Sequence, residues 1–284
     1  MQEIWNLGVI AVHPCITPRG DDILIALSAL TNHYEDESRM NGRALRVFHS
    51  TDRGATFSQY PITDKSPNEY YRSITYSSLA SAPGRFFCFW TSERTNLDQK
   101  HWTTFYGGSA DDPMTWGTNV PVNLKPPAAF RFYMSNSIAV NNSGLIEALI
   151  TRRQDRMVNG KLLLGKWTTP LKSGQDPGNT FTDEKEFYES GVYEAWNPRI
   201  SFVNADSSDF IVVWEQHSEH QGAEIFCRVR SDSVWKRPRT ISLLDGKDSA
   251  EPDLPAYQDK AFIGWQDYQD GYWEVKVKGI QVLN

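Results

Sequence analysis

The stretch STDRGATF, residues 50–57, reads Ser-x-Asp-x-Gly-x-Thr-Phe and has the chemistry of a tight connection between two strands. Asp52 can fold its carboxylate back onto backbone N–H groups two residues on, and Gly54 supplies a positive φ without steric cost. Upstream, RALRVF (43–48) alternates apolar and polar side chains, and downstream Phe57 and Tyr60 alternate with Ser58. Both flanks read as half-buried strands. The octet is a hairpin turn with an aromatic tucked beneath it.

The pattern recurs along the chain. SADDPMTW places Ser109, Asp111, Thr115 and Trp116 at the same offsets, with Pro113 where the glycine was. GQDPGNTF places Asp176, Gly178, Thr180 and Phe181 there, with Gly174 in place of the serine. RSDSVW, which contains Ser231 to Trp235, reads as a worn fourth copy. A repeat of roughly 60 residues, each holding several short strands, predicts a radial array of four-stranded sheets.

These octets resemble the Asp-boxes, or bacterial neuraminidase repeats, of sialidase-like β-propellers, and the repeat pattern covers essentially the whole chain. The resemblance implies that each box sits on the turn between the third and fourth strands of a blade, at the outer rim and away from the ligand pocket. The box residues Ser50, Asp52, Gly54, Thr56, Phe57, Ser109, Asp111, Thr115, Trp116, Asp176, Gly178, Thr180 and Phe181 are therefore expected to be structural. Function must be sought elsewhere in the fold.

The strongly apolar strands fix the count of units. They are ILIALSAL (23–30), RFFCFW (85–90), LIEALI (145–150), DFIVVW (209–214) and KAFIGW (260–265). Each follows an inner strand, near residues 12–17, 73–80, 134–141, 197–204 and 251–257, which gives five units. The last unit lacks an outer strand after WEVKVKGIQVL, while a spare strand, EIWNLG, precedes the first. An all-β propeller of five four-stranded blades, closed by residues 2–7, removes the free edges. Six blades are the alternative, because 121–190 is long enough to hold a degenerate extra one and sialidases themselves have six. No linker or long helical periodicity interrupts the chain, so residues 1–284 read as one domain.

Composition excludes several classes. A net charge of −6 argues against a nonspecific nucleic-acid binder. No stretch reaches the length of a membrane span. The start, MQEIWNLGVIAV, lacks a basic segment followed by a long apolar run, so a cytoplasmic or virion-associated protein is expected. Cys15, Cys88 and Cys227 make an odd count that favours buried thiols over a disulfide framework. In HSEH, the spacing of His217, Glu219 and His220 outside a helix fixes no metal geometry, and no metal or cofactor is expected.

In a propeller, the channel mouth is lined by loops before each inner strand and after each second strand. The first set here carries His13, Tyr71, Arg72, Arg131, Tyr133, Trp196, Asn197, Arg199, Glu251 and Asp253. The second carries His33, Asp36, Glu93, Arg94, Arg152, Arg153, Asp155, Glu215, His217, Asp267 and Tyr268. Arg72, Arg131 and Arg199 precede the inner strands of three successive units, and Tyr71, Tyr133 and Trp196 accompany them. Arginine grips a carboxylate through paired donors, and flat aromatic faces pack on sugar rings, which suits an acidic sugar. The same arginines could equally pair with Glu194, Glu215 or Asp253 as inter-blade salt bridges.

By resemblance to sialidases, Asp36 is the candidate acid, Tyr257 or Tyr268 the nucleophile, and Glu194 its partner. The chain departs from that pattern twice. Sialidases carry Arg-Ile-Pro at the first inner strand, where this sequence reads VHPCI with His13, and the last inner strand opens EPDLP without an arginine. Five-bladed furanosidases instead use three central carboxylates, the first usually an aspartate where His13 stands. Glu215, Glu251, Asp253 and Asp267 could form an acid–base pair. The expectation is a glycan-recognising, lectin-like or receptor-binding propeller, carried on a larger assembly such as a phage tail or cell surface. A sialidase-like glycoside hydrolase and a structural scaffold are the alternatives.

Overall fold

The computed structural model describes residues 11–30, 43–61, 72–83, 85–95, 101–110, 120–121, 132–153, 161–167, 181–188, 194–204, 206, 208–217, 222–243, 245–257 and 260–282. All regular structure among them is β-strand. The chain divides into two compact units, residues 1–134 with 169–181 and residues 135–168 with 182–284.

In the first unit, β1 (Ala11–Arg19), β2 (Asp22–Leu30), β3 (Arg43–Ser50) and β4 (Ser58–Pro61) form an antiparallel meander. A second meander follows: β5 (Arg72–Ala82), β6 (Arg85–Thr95), β7 (His101–Ala110) and β8 (Val120–Pro121). The two are joined by a parallel bridge between Arg43 and Ser73. Leu24, Ala26, Leu45 and Val47 of the first share a core with Leu79, Phe86, Cys88 and Trp90 of the second.

The octet at 50–57 is the β3–β4 turn. Ser50 Oγ donates to Asp52 Oδ1 at 2.7 Å and accepts from the Gly54 N–H at 2.8 Å. Asp52 in turn accepts from the Thr56 N–H at 2.8 Å and the Thr56 hydroxyl at 2.6 Å. These bonds hold the Asp52 carboxyl down at about 2, the Thr56 hydroxyl contributing most. Gly54 takes φ 88°, and Phe57 packs beneath with Ile25, Leu27 and Phe48. Of the other copies, Ser109 lies in β7, whereas Asp111, Thr115, Trp116, Asp176, Gly178 and Thr180 lie outside the described residues, as does the closing strand 2–7. The stretch at 231–235 is different. Asp232 and Ser233, at φ 51° and 64°, form a two-residue hairpin of the mirror-image type, in which the Asp232 N–H donates to Asp209 Oδ1 at 3.0 Å.

A sheet of β9 (Phe132–Val140), β10 (Ile146–Arg153), β11 (Lys161–Trp167) and β12 (Phe181–Tyr188) follows, with box residue Phe181 opening β12; all of it but residues 132–134 and 181 belongs to the second unit. Next come β13 (Glu194–Phe202), β14 (Phe210–His217) and β15 (Ala223–Ser231), with β16 (Val234–Trp235) and β17 (Arg239–Thr240) both paired to β15. The last sheet holds β18 (Ser249–Asp253), β19 (Ala256–Tyr257), β20 (Lys260–Gln269) and β21 (Tyr272–Gln281).

β14 shows why the second strands read as continuous apolar runs. Phe210, Val212 and Trp214 pack with Ala139 and Leu149 on one side, while Ile211 and Val213 pack with Ile263 and Trp265 on the other. Each such fully buried side chain contributes about 1.5–3 kcal/mol. The second strands also extend beyond the apolar runs. Glu93 and Arg94 lie in β6, Arg152 and Arg153 in β10, Glu215 and His217 in β14, and Asp267 and Tyr268 in β20. They belong to strand ends, not to the loops expected from sequence, because cross-strand pairing continues past the apolar core.

Four of the inner strands share an irregularity. Register shifts fall between Val12 and Cys15 in β1, Ile74 and Tyr76 in β5, Trp196 and Arg199 in β13, and Ala250 and Asp253 in β18. Three of these bulges hold a proline, Pro14, Pro198 or Pro252, at a position where the ladder needs no N–H.

Candidate functional site

Within the second unit, the ends of β13, β14 and β18 bring a polar group together around Glu215. This residue is only 6% exposed, at the point where β14 leaves its apolar core. Burying a carboxylate is costly unless hydrogen bonds compensate, and three groups do so here. Asn197 Nδ2 donates to Oε2 at 3.1 Å, the Glu251 N–H donates to the same oxygen at 3.2 Å, and His217 Nε2 lies 2.6 Å from Oε1. Glu215 and His217 are two apart on one strand and so share a face. The partners from β13 and β18 reach Glu215 through the two proline-containing bulges.

The hydrogen bond to Glu215 raises the His217 pKa above its ordinary value, against a smaller opposing effect of burial. Trp196, cross-strand neighbour of Glu215, is half-buried and donates its indole N–H to Glu194 Oε2 at 3.0 Å. Arg199 donates to the Pro198 carbonyl at 3.0 Å, and its Nε lies 3.9 Å from Asp253 Oδ1. Glu251 is exposed. The arrangement offers a half-buried aromatic face, exposed carboxylates and an imidazole beside a rigid buried anion. Such a surface can hydrogen-bond hydroxyl groups while packing on one apolar ring face.

The structure therefore brings together Glu194, Trp196, Arg199, Glu215, Glu251 and Asp253 from the sequence reading. It places them within strands, where loops were expected. Tyr268 is set apart: its ring packs on Trp273 on the exposed side of the last sheet, 5.3 Å between centroids. Asp267 faces inward, accepting hydrogen bonds from Ser249, Gln269 and Trp265. Tyr257 lies in β19, paired with Lys260. In strands preceding this site, His13 lies in β1, Arg72 opens β5 and Tyr133 lies in β9. Asp36, Tyr71 and Arg131 lie outside the described residues.

Sequence reasoning named Asn197 and His217 among many loop residues but missed that they serve one carboxylate. A usable signal was present. WNPRI (196–200) and AEPDL (250–254) share a polar residue before proline at the same place in successive inner strands, and VHPCI (12–16) repeats it in the first.

No family model and no curated protein matches the chain. Solved structures do match its fold. A Dyadobacter fermentans protein of unknown function is 14% identical, with a TM-score of 0.69 over 96% of this chain and 77% of that one. A Penicillium chrysogenum α-L-arabinanase, solved with arabinobiose, is 12% identical, with a TM-score of 0.63 over 95% of this chain and 76% of that one. The GH93 α-L-arabinofuranosidase of Fusarium graminearum, also solved with arabinobiose, is 13% identical, with a TM-score of 0.60 over the same shares, 95% and 76%. At these identities the likeness is one of fold, and it defines the chain as an all-β propeller.

Proposed function

We propose that this protein is a carbohydrate-recognising β-propeller whose ligand sits over Trp196 beside the Glu215 network. The observation that carries the reading is the convergence on one buried carboxylate of two bulged inner strands and a histidine, next to a half-buried indole. Rigid polar groups beside an aromatic face are what a sugar ring requires. The fold it shares with arabinan- and arabinofuranoside-active enzymes points the same way. In this reading residues 1–284 form one ring of five blades, and the Ser50–Asp52–Thr56 turn serves as an Asp-box on its rim.

A neutral sugar fits better than an acidic one. The guanidinium of Arg199 faces Asp253, while Glu194, Glu251 and Asp253 would repel a carboxylate. Binding without turnover, as in a lectin-like or receptor-binding module, is the leading form of the proposal. Hydrolysis of a furanoside is the second, favoured by an exposed Glu251 whose backbone N–H bonds Glu215.

A panel of neutral pentose and hexose oligosaccharides, with sialic and glucuronic acids as acidic counterparts, tests the proposal by calorimetric titration. Tighter binding of a neutral oligosaccharide is expected. Preference for the acids would reverse the charge argument, and binding of none would leave a scaffold. Release of an aryl aglycone from an arabinofuranoside separates hydrolase from lectin.

A further inference from the structure

Six residues other than glycine have positive φ among the described residues. Arg53, Asp232, Ser233 and Asp270 sit in turns between strands, where such angles are ordinary. The other two, Asn197 at 44° and Glu251 at 54°, lie inside strands and directly before prolines. A following proline disfavours helical backbone angles in the residue before it, and a Cβ disfavours the left-handed ones.

Asn197 is explained by the fold. Asparagine tolerates left-handed angles better than most residues, and its side chain donates to Glu215. Glu251 is not explained in this way. Its contribution to the network is its backbone N–H, which any residue but proline would supply. Its carboxylate is exposed and has no hydrogen-bond or ion-pair partner among the described residues. An asparagine or glycine at 251 would keep the N–H bond at lower conformational cost. Strain retained with no structural return is a mark of function.

We propose that Glu251 is the ligand-contacting carboxylate of this site, accepting hydrogen bonds from adjacent hydroxyls of a neutral sugar. This assignment rests on the carbohydrate reading above. The bulge aims the side chain, and the bond from the Glu251 N–H to the buried Glu215 fixes the backbone that carries it. Asp253, two residues on and 82% exposed at its side chain, accompanies it on β18. A carboxylate held this way accepts from two hydroxyls at once, so the pair of hydroxyls that fits between its oxygens sets which sugar is chosen.

The test compares wild type with Glu251→Asn and Glu251→Gln by thermal melting and by titration with arabino-oligosaccharides. Glu251→Asn should melt about 2 °C higher, because the left-handed angle is relieved. Glu251→Gln should melt as wild type does. Both should bind the sugar about tenfold more weakly or worse, having lost a charged acceptor. Sugar binding undiminished in both variants, or a Glu251→Asn chain that melts below wild type, overturns this assignment and leaves the carbohydrate reading intact. A wild type that binds no sugar overturns that reading, and the assignment with it.

Discussion

The Nε2 atom of His217 lies 2.6 Å from Oε1 of Glu215, two residues away on the same strand and on the same face. The glutamate is buried and the histidine side chain 44% exposed, so the pair spans the boundary between core and solvent. Glu215 thereby joins three strands: its other oxygen accepts from β13 and β18.

The pair makes stability depend on pH. The His217 pKa is raised in the folded chain by its bond to Glu215, so its contribution is fully present below the unfolded value of 6.5 and is lost as pH rises through the raised value. Against His217→Asn, wild type should be more stable by about 1 kcal/mol at pH 5.5, a charged hydrogen bond reduced by its exposure. That advantage should fade toward pH 9. A difference that stays constant across the range would show that the pair is not charged.

Removing the hub should be far more damaging. Glu215→Ala leaves the Asn197 amide and the Glu251 N–H without their acceptor. The expected loss is about 3 kcal/mol in denaturant unfolding, with sugar binding abolished as both bulges relax. A loss below about 1 kcal/mol would show that water replaces the carboxylate freely.

Removing the buried carboxyl of Glu224 should have the opposite effect to removing Glu215. Burial pushes the Glu224 pKa up, Ser242 donates to one of its oxygens, and its Oε1 has no hydrogen-bond partner among the described residues. A raised carboxyl favours the folded state below the unfolded value of 4.5 and ceases to do so as pH rises through the raised value. Glu224→Gln should therefore stabilise at pH 7 by on the order of 1 kcal/mol and change little at pH 4. Equal effects at both values would contradict this.

Asp52 tests the structural assignment of the octet. Its pKa is lowered from 3.8 to about 2, so its contribution is present above 3.8 and is lost as pH falls through about 2. Asp52→Ala should melt below wild type at pH 7, the gap closing in acid, with sugar affinity unchanged. Weakened sugar binding at an unaltered melting temperature would move the octet into the binding site.

What the sequence disclosed and what it hid follow from the range of the interactions. The octet was legible because Ser50, Asp52, Gly54 and Thr56 bond one another within a few positions. The apolar runs were legible because strands such as β14 are buried on both faces. The Glu215 network was not, since its partners lie on three strands and bulges decide the register that joins them. Propensity does not reveal that a glutamate before proline will turn left-handed, and only the repetition of WNPRI and AEPDL hints at it. Strand ends were misread as loops because polar residues such as Glu215 and Asp267 continue the ladder after the apolar pattern stops.

The most direct test of the central claim follows the indole N–H of Trp196, which donates to Glu194 at 3.0 Å beside the Glu215 network. Its nitrogen–proton NMR resonance, assigned by its loss in Trp196→Phe, is recorded as an arabino-oligosaccharide is titrated into the wild-type protein. A neutral sugar packed over this ring should shift the resonance progressively and to saturation, with little change at the buried Trp214. A Trp196 resonance that stays fixed while any arabino-oligosaccharide binds, or the absence of binding altogether, would contradict the account.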